Sequence, residues 1–250
     1  TGINNQGDVV GSAYDALGSI GSQGPWVWNS TNGVMSALQP GPYERTSDII
    51  KINDSGQIAG TSLHMPDGFW RGYAACSWHR DNPGVMTQVQ DWAQVAGIAN
   101  SGMIAGWAQK TYTVMRIRWN PNTRTYELTP LEVNVPVPVC WFNNQPNWLL
   151  PPNLNVNTLL DEIYQARYGE QVVSRGGMVA GIAFRDFGIE NPPGGVIPNS
   201  IYLYQSNNGD SEVVLAQSGV AYPFLPLAIN DAGQMSGFGN GYGGPHAIWK

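Results

Sequence analysis

The chain has 250 residues, a formal net charge of −6 and 12% charged residues, with 31 glycines and 18 prolines. An acidic balance without a Lys/Arg cluster argues against a nucleic-acid partner, which needs a basic stripe to track phosphates. No apolar run reaches the roughly 20 residues of a membrane helix, and 42% apolar residues with ten tryptophans are enough to offset chain entropy, which argues against disorder.

The first recognisable element is Ile3-Asn4-Asn5-Gln6-Gly7-Asp8-Val9-Val10-Gly11. A β-branched residue closes one strand and another opens the next. Between them lie an Asn that bonds the backbone two residues on and a glycine for a left-handed position, so a hairpin is predicted. A third strand carries Trp26-Val27-Trp28, a polar turn follows over 29–33, and a fourth strand runs Val34 to Leu38. The pattern returns at Ile52 through Gly60, with Cys76-Ser77-Trp78 and then Val85 to Val89. It returns again at Ile98 through Gly106, with Arg118-Trp119 and then Thr125 to Leu131. After that unit comes an insertion, Glu132 to Gln171, rich in proline (Pro136, Pro138, Pro146, Pro151, Pro152). Within it, an N-cap at Asn157, an apolar stripe at Leu159, Leu160, Ile163 and Tyr164, and a stop at Gly169 predict a short helix. A fourth copy spans Val173 through Gly181 with Tyr202-Leu203-Tyr204 and Glu212 to Ala216. A fifth spans Ile229 through Gly237 with Ile248-Trp249, and has no fourth strand before Lys250.

Four short strands per unit at a spacing near fifty residues predict propeller blades. The expectation is one all-β domain over 1–250, a five-bladed β-propeller with blades near 1–46, 47–93, 94–131, 172–221 and 222–250 and an insertion at 132–171. The last blade is expected to be incomplete, leaving an edge open to self-association by strand addition. Closing glycines such as Gly60 and Gly106 are expected where backbones approach closely. Cys76 and Cys140 permit one disulfide or two free thiols.

At the hairpins, above all Ile52-Asn53-Asp54-Ser55-Gly56-Gln57-Ile58-Ala59-Gly60 and Ile229-Asn230-Asp231-Ala232-Gly233-Gln234-Met235-Ser236-Gly237, the chain resembles the bacterial extracellular HAF-type repeats. Their I-N-x-x-G-x-V-x-G element is followed by a strand ending in Trp. Ala99 and Ser174 depart from the Asn of that element. The resemblance implies an exported repeat protein, extracellular or at the cell surface, and carries no catalytic residues with it.

In a propeller the regular turns share one face, while the second-to-third loops and blade links share the other. Here the second set is long and aromatic, which suits a variable site on a rigid scaffold. Candidate ligand contacts on that face are His64, Asp67, Trp70 and Tyr73, then Trp107 and Tyr112, then Trp141 and Trp148 of the insertion, and Phe187 and Tyr242. Aromatic faces stack on sugar C–H groups while amides bond hydroxyls. A non-catalytic, lectin-like module for a glycan or polysaccharide is therefore expected. The alternatives are an assembly subunit joined through the fifth blade's edge, and a glycosidase or lyase using paired carboxylates, for which no pair stands in a recognisable motif. Three histidines without ligand spacing predict no metal site, and a glycine-rich stretch at 239–244 without Lys-Ser/Thr predicts no nucleotide cofactor.

Overall fold

The computed structural model describes residues 2–13, 24–42, 45–64, 72–149, 164–166, 172–185, 200–207, 210–217, 224–239 and 246–249. All elements described are strands, and they form five antiparallel sheets. Sheet 1 is β1 (Gly2–Ile3), β2 (Val9–Ala13), β3 (Gly24–Asn29) and β4 (Val34–Ala37). Sheet 2 is β5 (Arg45–Ile52), β6 (Gln57–His64), β7 (Gly72–His79) and β8 (Asn82–Asp91). Sheet 3 is β9 (Ala93–Ile98), β10 (Ile104–Asn120), β11 (Thr125–Phe142) and β12 (Gln145–Trp148). Sheet 4 pairs β13 (Tyr164–Ala166) and β14 (Val172–Val173) with β15 (Met178–Arg185), followed by β16 (Ser200–Asn207) and β17 (Asp210–Gln217). Sheet 5 is β18 (Phe224–Ile229), β19 (Met235–Gly239) and β20 (His246–Trp249).

The repeat motif makes the same turn five times. Gly7, Gly56, Gly102, Gly177 and Gly233 all take a positive φ, between 74° and 99°. Each donates its N–H to the carbonyl three residues back, at 3.0–3.2 Å. The side-chain Oδ1 of Asn4, Asn53 and Asn230 accepts from the backbone N–H two and four residues on, at 2.9–3.2 Å. Where the Asn is replaced, Ser174 does part of that work through its hydroxyl, 3.0 Å from Met178 N. At the closing glycine of the third copy, a Cβ on Gly106 would lie 1.8 Å from the Gln94 carbonyl oxygen, beside a register shift between β9 and β10. No other residue fits that approach.

The five sheets also share a register. The residue that opens the second strand pairs with one aromatic of the third: Val9 with Trp28, Ile58 with Trp78, Ile104 with Trp141, Val179 with Tyr204, Met235 with Trp249. On its other side it pairs with the residue ending the first strand, Ile3, Ile52, Ile98, Val173 and Ile229. Directly paired residues face one side of a sheet, so each of the first three sheets carries an apolar row. The row of sheet 2 (Ile52, Ile58, Trp78) is buried against Val10 and Val27 of sheet 1. The row of sheet 3 (Ile98, Ile104, Trp141) is buried against Ala59 and Ala75 of sheet 2. Val173 and Val179 of sheet 4 pack on Ala105 and Cys140 of sheet 3. The core therefore lies between successive sheets. The buried indoles keep their N–H groups bonded, Trp78 to the Gln39 carbonyl at 2.8 Å and Trp141 to Gln90 Oε1 at 2.7 Å.

Two expectations are corrected. First, the third sheet extends beyond residue 131: its third and fourth strands are the end of β11 and β12, and Trp141, not Trp119, occupies the aromatic position of the row. Residues 107–113, expected as a loop, continue β10, and the inserted residues form a two-stranded arm built from the outer parts of β10 and β11. Prolines suggest a loop there, yet Pro138 accepts from Leu149 N at 2.9 Å on the outer side of β11. Its missing N–H points to that same outer side, where β12 pairing starts only at Val139. A two-residue turn with Asn143 and Asn144 both at positive φ then leads into β12. Second, the helix expected over 157–169 lies mostly outside the described residues. Its described part, Tyr164–Ala166, is strand β13, where pairing with Ala183–Arg185 prevails over the local helical pattern. Of the two alternatives for the cysteines, the structure has free thiols: Cys76 and Cys140 are buried on different sheets.

Candidate functional site

The first strands of all five sheets line one cavity of about 480 Å³. Its walls include Ile3, Lys51 and Ile52, the stretch from Gln94 to Ile98, Val172 and Val173, and Leu227 to Ile229. Arg175 and Trp107 also line it. The volume is within the range of small-molecule pockets.

The turns of successive repeats are tied to one another through the residue after the motif Asn. Asn5 N donates to Asp54 Oδ1 at 2.8 Å, Asp54 N to Asn100 Oδ1 at 3.0 Å, Asn100 N to the Arg175 carbonyl at 2.8 Å, and Gly176 N to Asp231 Oδ1 at 2.5 Å. The Arg175 guanidinium returns to Asn5 Oδ1, linking the fourth turn to the first. Buried Asn4 and Asn53 reinforce the chain by donating to the Asn53 and Ala99 carbonyls of the next turns. The backbone hydrogen bond from Asn5 is the main cause that holds the Asp54 carboxyl below the ordinary range, against the opposing effect of burial.

At the opposite strand ends, Tyr73 of β7, Trp92 in the β8–β9 link and Trp107 of β10 form an aromatic cluster. Tyr73 meets Trp92 edge-on with centroids 5.6 Å apart and Trp107 at 4.6 Å. Gln109 Nε2 reaches the Tyr73 hydroxyl at 3.4 Å, and Gln109 N donates to the Trp92 carbonyl at 2.9 Å. Burial pushes the Tyr73 hydroxyl above its ordinary range, with Gln109 opposing, so it stays a neutral donor and acceptor. Trp92 is 44% exposed and holds φ at +51°, a left-handed position that a bulky residue rarely takes and that recurs at binding sites. Trp107 belongs to both the cluster and the cavity wall.

Of the sequence candidates, the structure therefore brings together Tyr73 and Trp107. Trp141 is buried in the core and Trp148 packs against the same cluster of side chains, with the Lys110 ammonium 5.0 Å from the Trp148 ring centroid. Trp141 is thus a structural residue, placed by its register with Ile104. His64 ends β6 and pairs with Gly72, while Tyr112 lies in β10, in register with Val133 on the arm. Asp67, Trp70, Phe187 and Tyr242 lie outside the described residues. Sequence reasoning passes over Trp92 and Gln109; the one signal for Trp92 is a bulky residue in the short link between two repeats. Among the described residues, no group of three His, Cys, Asp or Glu is placed to hold a metal ion.

No family model and no curated protein matches the chain. Among solved structures, it is similar to the β-propeller domain of the Trilobed protease from Pyrococcus furiosus, with 9% identity and a TM-score of 0.40, over 100% of this chain and 81% of that one. It is also similar to a protein from Lactobacillus plantarum, with 9% identity and a TM-score of 0.37, over 97% of this chain and 65% of that one. Both likenesses are distant, and no feature of the site rests on them.

Proposed function

We propose that this chain is a five-bladed β-propeller with an open seam between its first and last blades, and that it works outside the cell as a non-catalytic module that binds carbohydrate. The five shared registers and the five first strands around one cavity support the ring. The low charge, the abundance of turn residues and the likeness to exported HAF-type repeats support the location.

The observation that carries the ligand class is Trp92, a half-exposed indole held at positive φ beside the Tyr73 hydroxyl and the Gln109 amide. An indole face takes the C–H face of a pyranose, and a neighbouring hydroxyl and amide take its equatorial hydroxyls. The cavity behind Trp107 admits the end of an oligosaccharide.

A glycan array followed by titration of the best ligand tests this. Trp92→Ala is expected to weaken binding about tenfold to a hundredfold, the scale of one aromatic anchor, with the melting temperature unchanged. Trp119→Ala, on the arm, is expected to bind as the wild type does. An array without any hit, or a Trp92→Ala variant with wild-type affinity, rejects the reading.

A further inference from the structure

The cavity is walled by the first strand of every sheet, and each of those strands is an edge of its own sheet. An edge strand leaves a row of backbone N–H and C=O groups outside the ladder, so the wall offers hydrogen-bonding groups suited to sugar hydroxyls. The residues that end the first strands, Ile3, Ile52, Ile98, Val173 and Ile229, line it as well. They form an aliphatic collar suited to sugar C–H groups.

Charge in this wall departs from the chain as a whole. The sequence has 18 acidic residues against 12 Lys and Arg, yet the described residues of the wall include Lys51 and Arg175 and no Asp or Glu. The Arg175 guanidinium is committed to the links between turns. It bonds Asn5 and lies in electrostatic reach of the Asp54 and Asp231 carboxylates. The Lys51 ammonium has no such engagement: among the described residues, no ion pair or side-chain hydrogen bond reaches it.

The repeat shows that the fold does not require a cation at this position. Lys51 pairs with Ala59, and the same register position holds Gly2, Gly97, Val172 and Ala228 in the other sheets. Gly97, Val172 and Ala228 also line the cavity. Lys51 is exposed where those sheets place small or apolar residues. A single ammonium in a cleft with low-dielectric walls attracts negative charge more strongly than one on an open surface.

We infer that the cavity takes the acidic end of a glycan, a sugar that carries a carboxylate or a sulfate, and that Lys51 is the residue that selects it. The inference rests on the carbohydrate reading above. Trp92 touches Tyr73, Tyr73 touches Trp107, and Trp107 stands on the cavity wall, so the aromatic path of that reading leads into the cavity.

Calorimetric titration of the full chain tests this with acidic oligosaccharides, each beside a neutral counterpart. These are oligogalacturonate and oligomannuronate with their methyl esters, and a sulfated oligogalactan with its desulfated form. At least one acidic form is expected to bind about tenfold more tightly than its counterpart, with the preference shrinking as salt is added. Which pairs show it tells carboxylate from sulfate. Lys51→Met keeps the aliphatic stem and is expected to bring the acidic form down to the affinity of the neutral one, while Lys51→Arg keeps the preference. Trp92→Ala is expected to weaken both forms alike. Melting temperatures near the wild type's are the folding control, and Lys51→Gln replaces Lys51→Met if that variant unfolds. Equal affinities for acidic and neutral forms overturn the inference and leave the carbohydrate reading standing. A preference that survives in Lys51→Met overturns the role of Lys51. Failure to bind any of these compounds overturns the inference too, and the glycan array then decides the carbohydrate reading by itself.

Discussion

Asp8 shows what one buried residue does for the joint between sheets 1 and 2. Burial by itself raises a carboxyl's pKa, but hydrogen bonds from Ser30, Asn4 and the Arg80 guanidinium outweigh it and hold Asp8 at about 2. The folded chain therefore favours the ionised form, while the unfolded chain takes up the proton near pH 4. The stabilisation, about 2 kcal/mol, is full above roughly pH 4 and is lost as pH falls toward 2. Asp8→Asn is expected to be less stable than the wild type at neutral pH, with the gap narrowing toward pH 2 in denaturant titrations. A constant gap at all pH values is the contrary result. The turn residues around Asp8 were legible in the sequence, because an Asn two residues before a backbone N–H and a glycine at positive φ are local requirements. Trp92 was not, because its backbone conformation is imposed where two sheets meet. The free thiols were not either: burial of Cys76 and Cys140 in separate packing layers, which pushes the Cys76 thiol up to about 12, depends on which strand is the third of its sheet.

The arm is the element that sequence reasoning displaced. Its strands keep the alternation of a sheet, but Pro136 and Pro138 at its base suggested a loop, and Arg118-Trp119 imitated the end of a third strand. What decides between Trp119 and Trp141 is the long pairing of β10 with β11, which places Trp141 opposite Ile104; that choice is tertiary and has no local mark. The helix at 157–169 was expected on local periodicity alone, and its described part joined a sheet edge. Because the arm's outer residues are exposed, its removal is expected to leave the body intact. Replacing 111–134 with Asn-Gly, a turn suited to a two-residue hairpin between Lys110 and Val135, is expected to change stability by less than about 1 kcal/mol. A loss of several kcal/mol in urea unfolding would show that the arm packs on the body.

Across the whole molecule, cohesion has two layers: apolar rows packed between sheets, and a belt of polar links between turns. The repeats that predict the rows are readable as sequence, whereas the belt runs through the position after the motif Asn, which holds three different side chains: Asn5 and Asn100, Asp54 and Asp231, and Arg175. Asn53 belongs to the belt and to its own turn, bonding Ser55, Gln57 and the Ala99 carbonyl, while exposed Asn230 bonds within its own turn. Asn53→Ala is expected to cost about 2–3 kcal/mol and Asn230→Ala about 1 kcal/mol, measured by thermal or urea unfolding. Equal costs would mean that the belt adds nothing to the turns.

The unbroken ladder of β10 and β11 also governs how this chain can vary. A residue gained by one strand of the arm alone shifts every outer pair and turns Trp119 or Tyr126 to the wrong side, whereas matched gains keep the pairs. Each matched pair changes the reach by about 3.4 Å and exchanges which face the tip presents. Homologous chains should therefore differ in arm length by even numbers of residues, leaving Trp141 in place and altering only how far the ribbon extends.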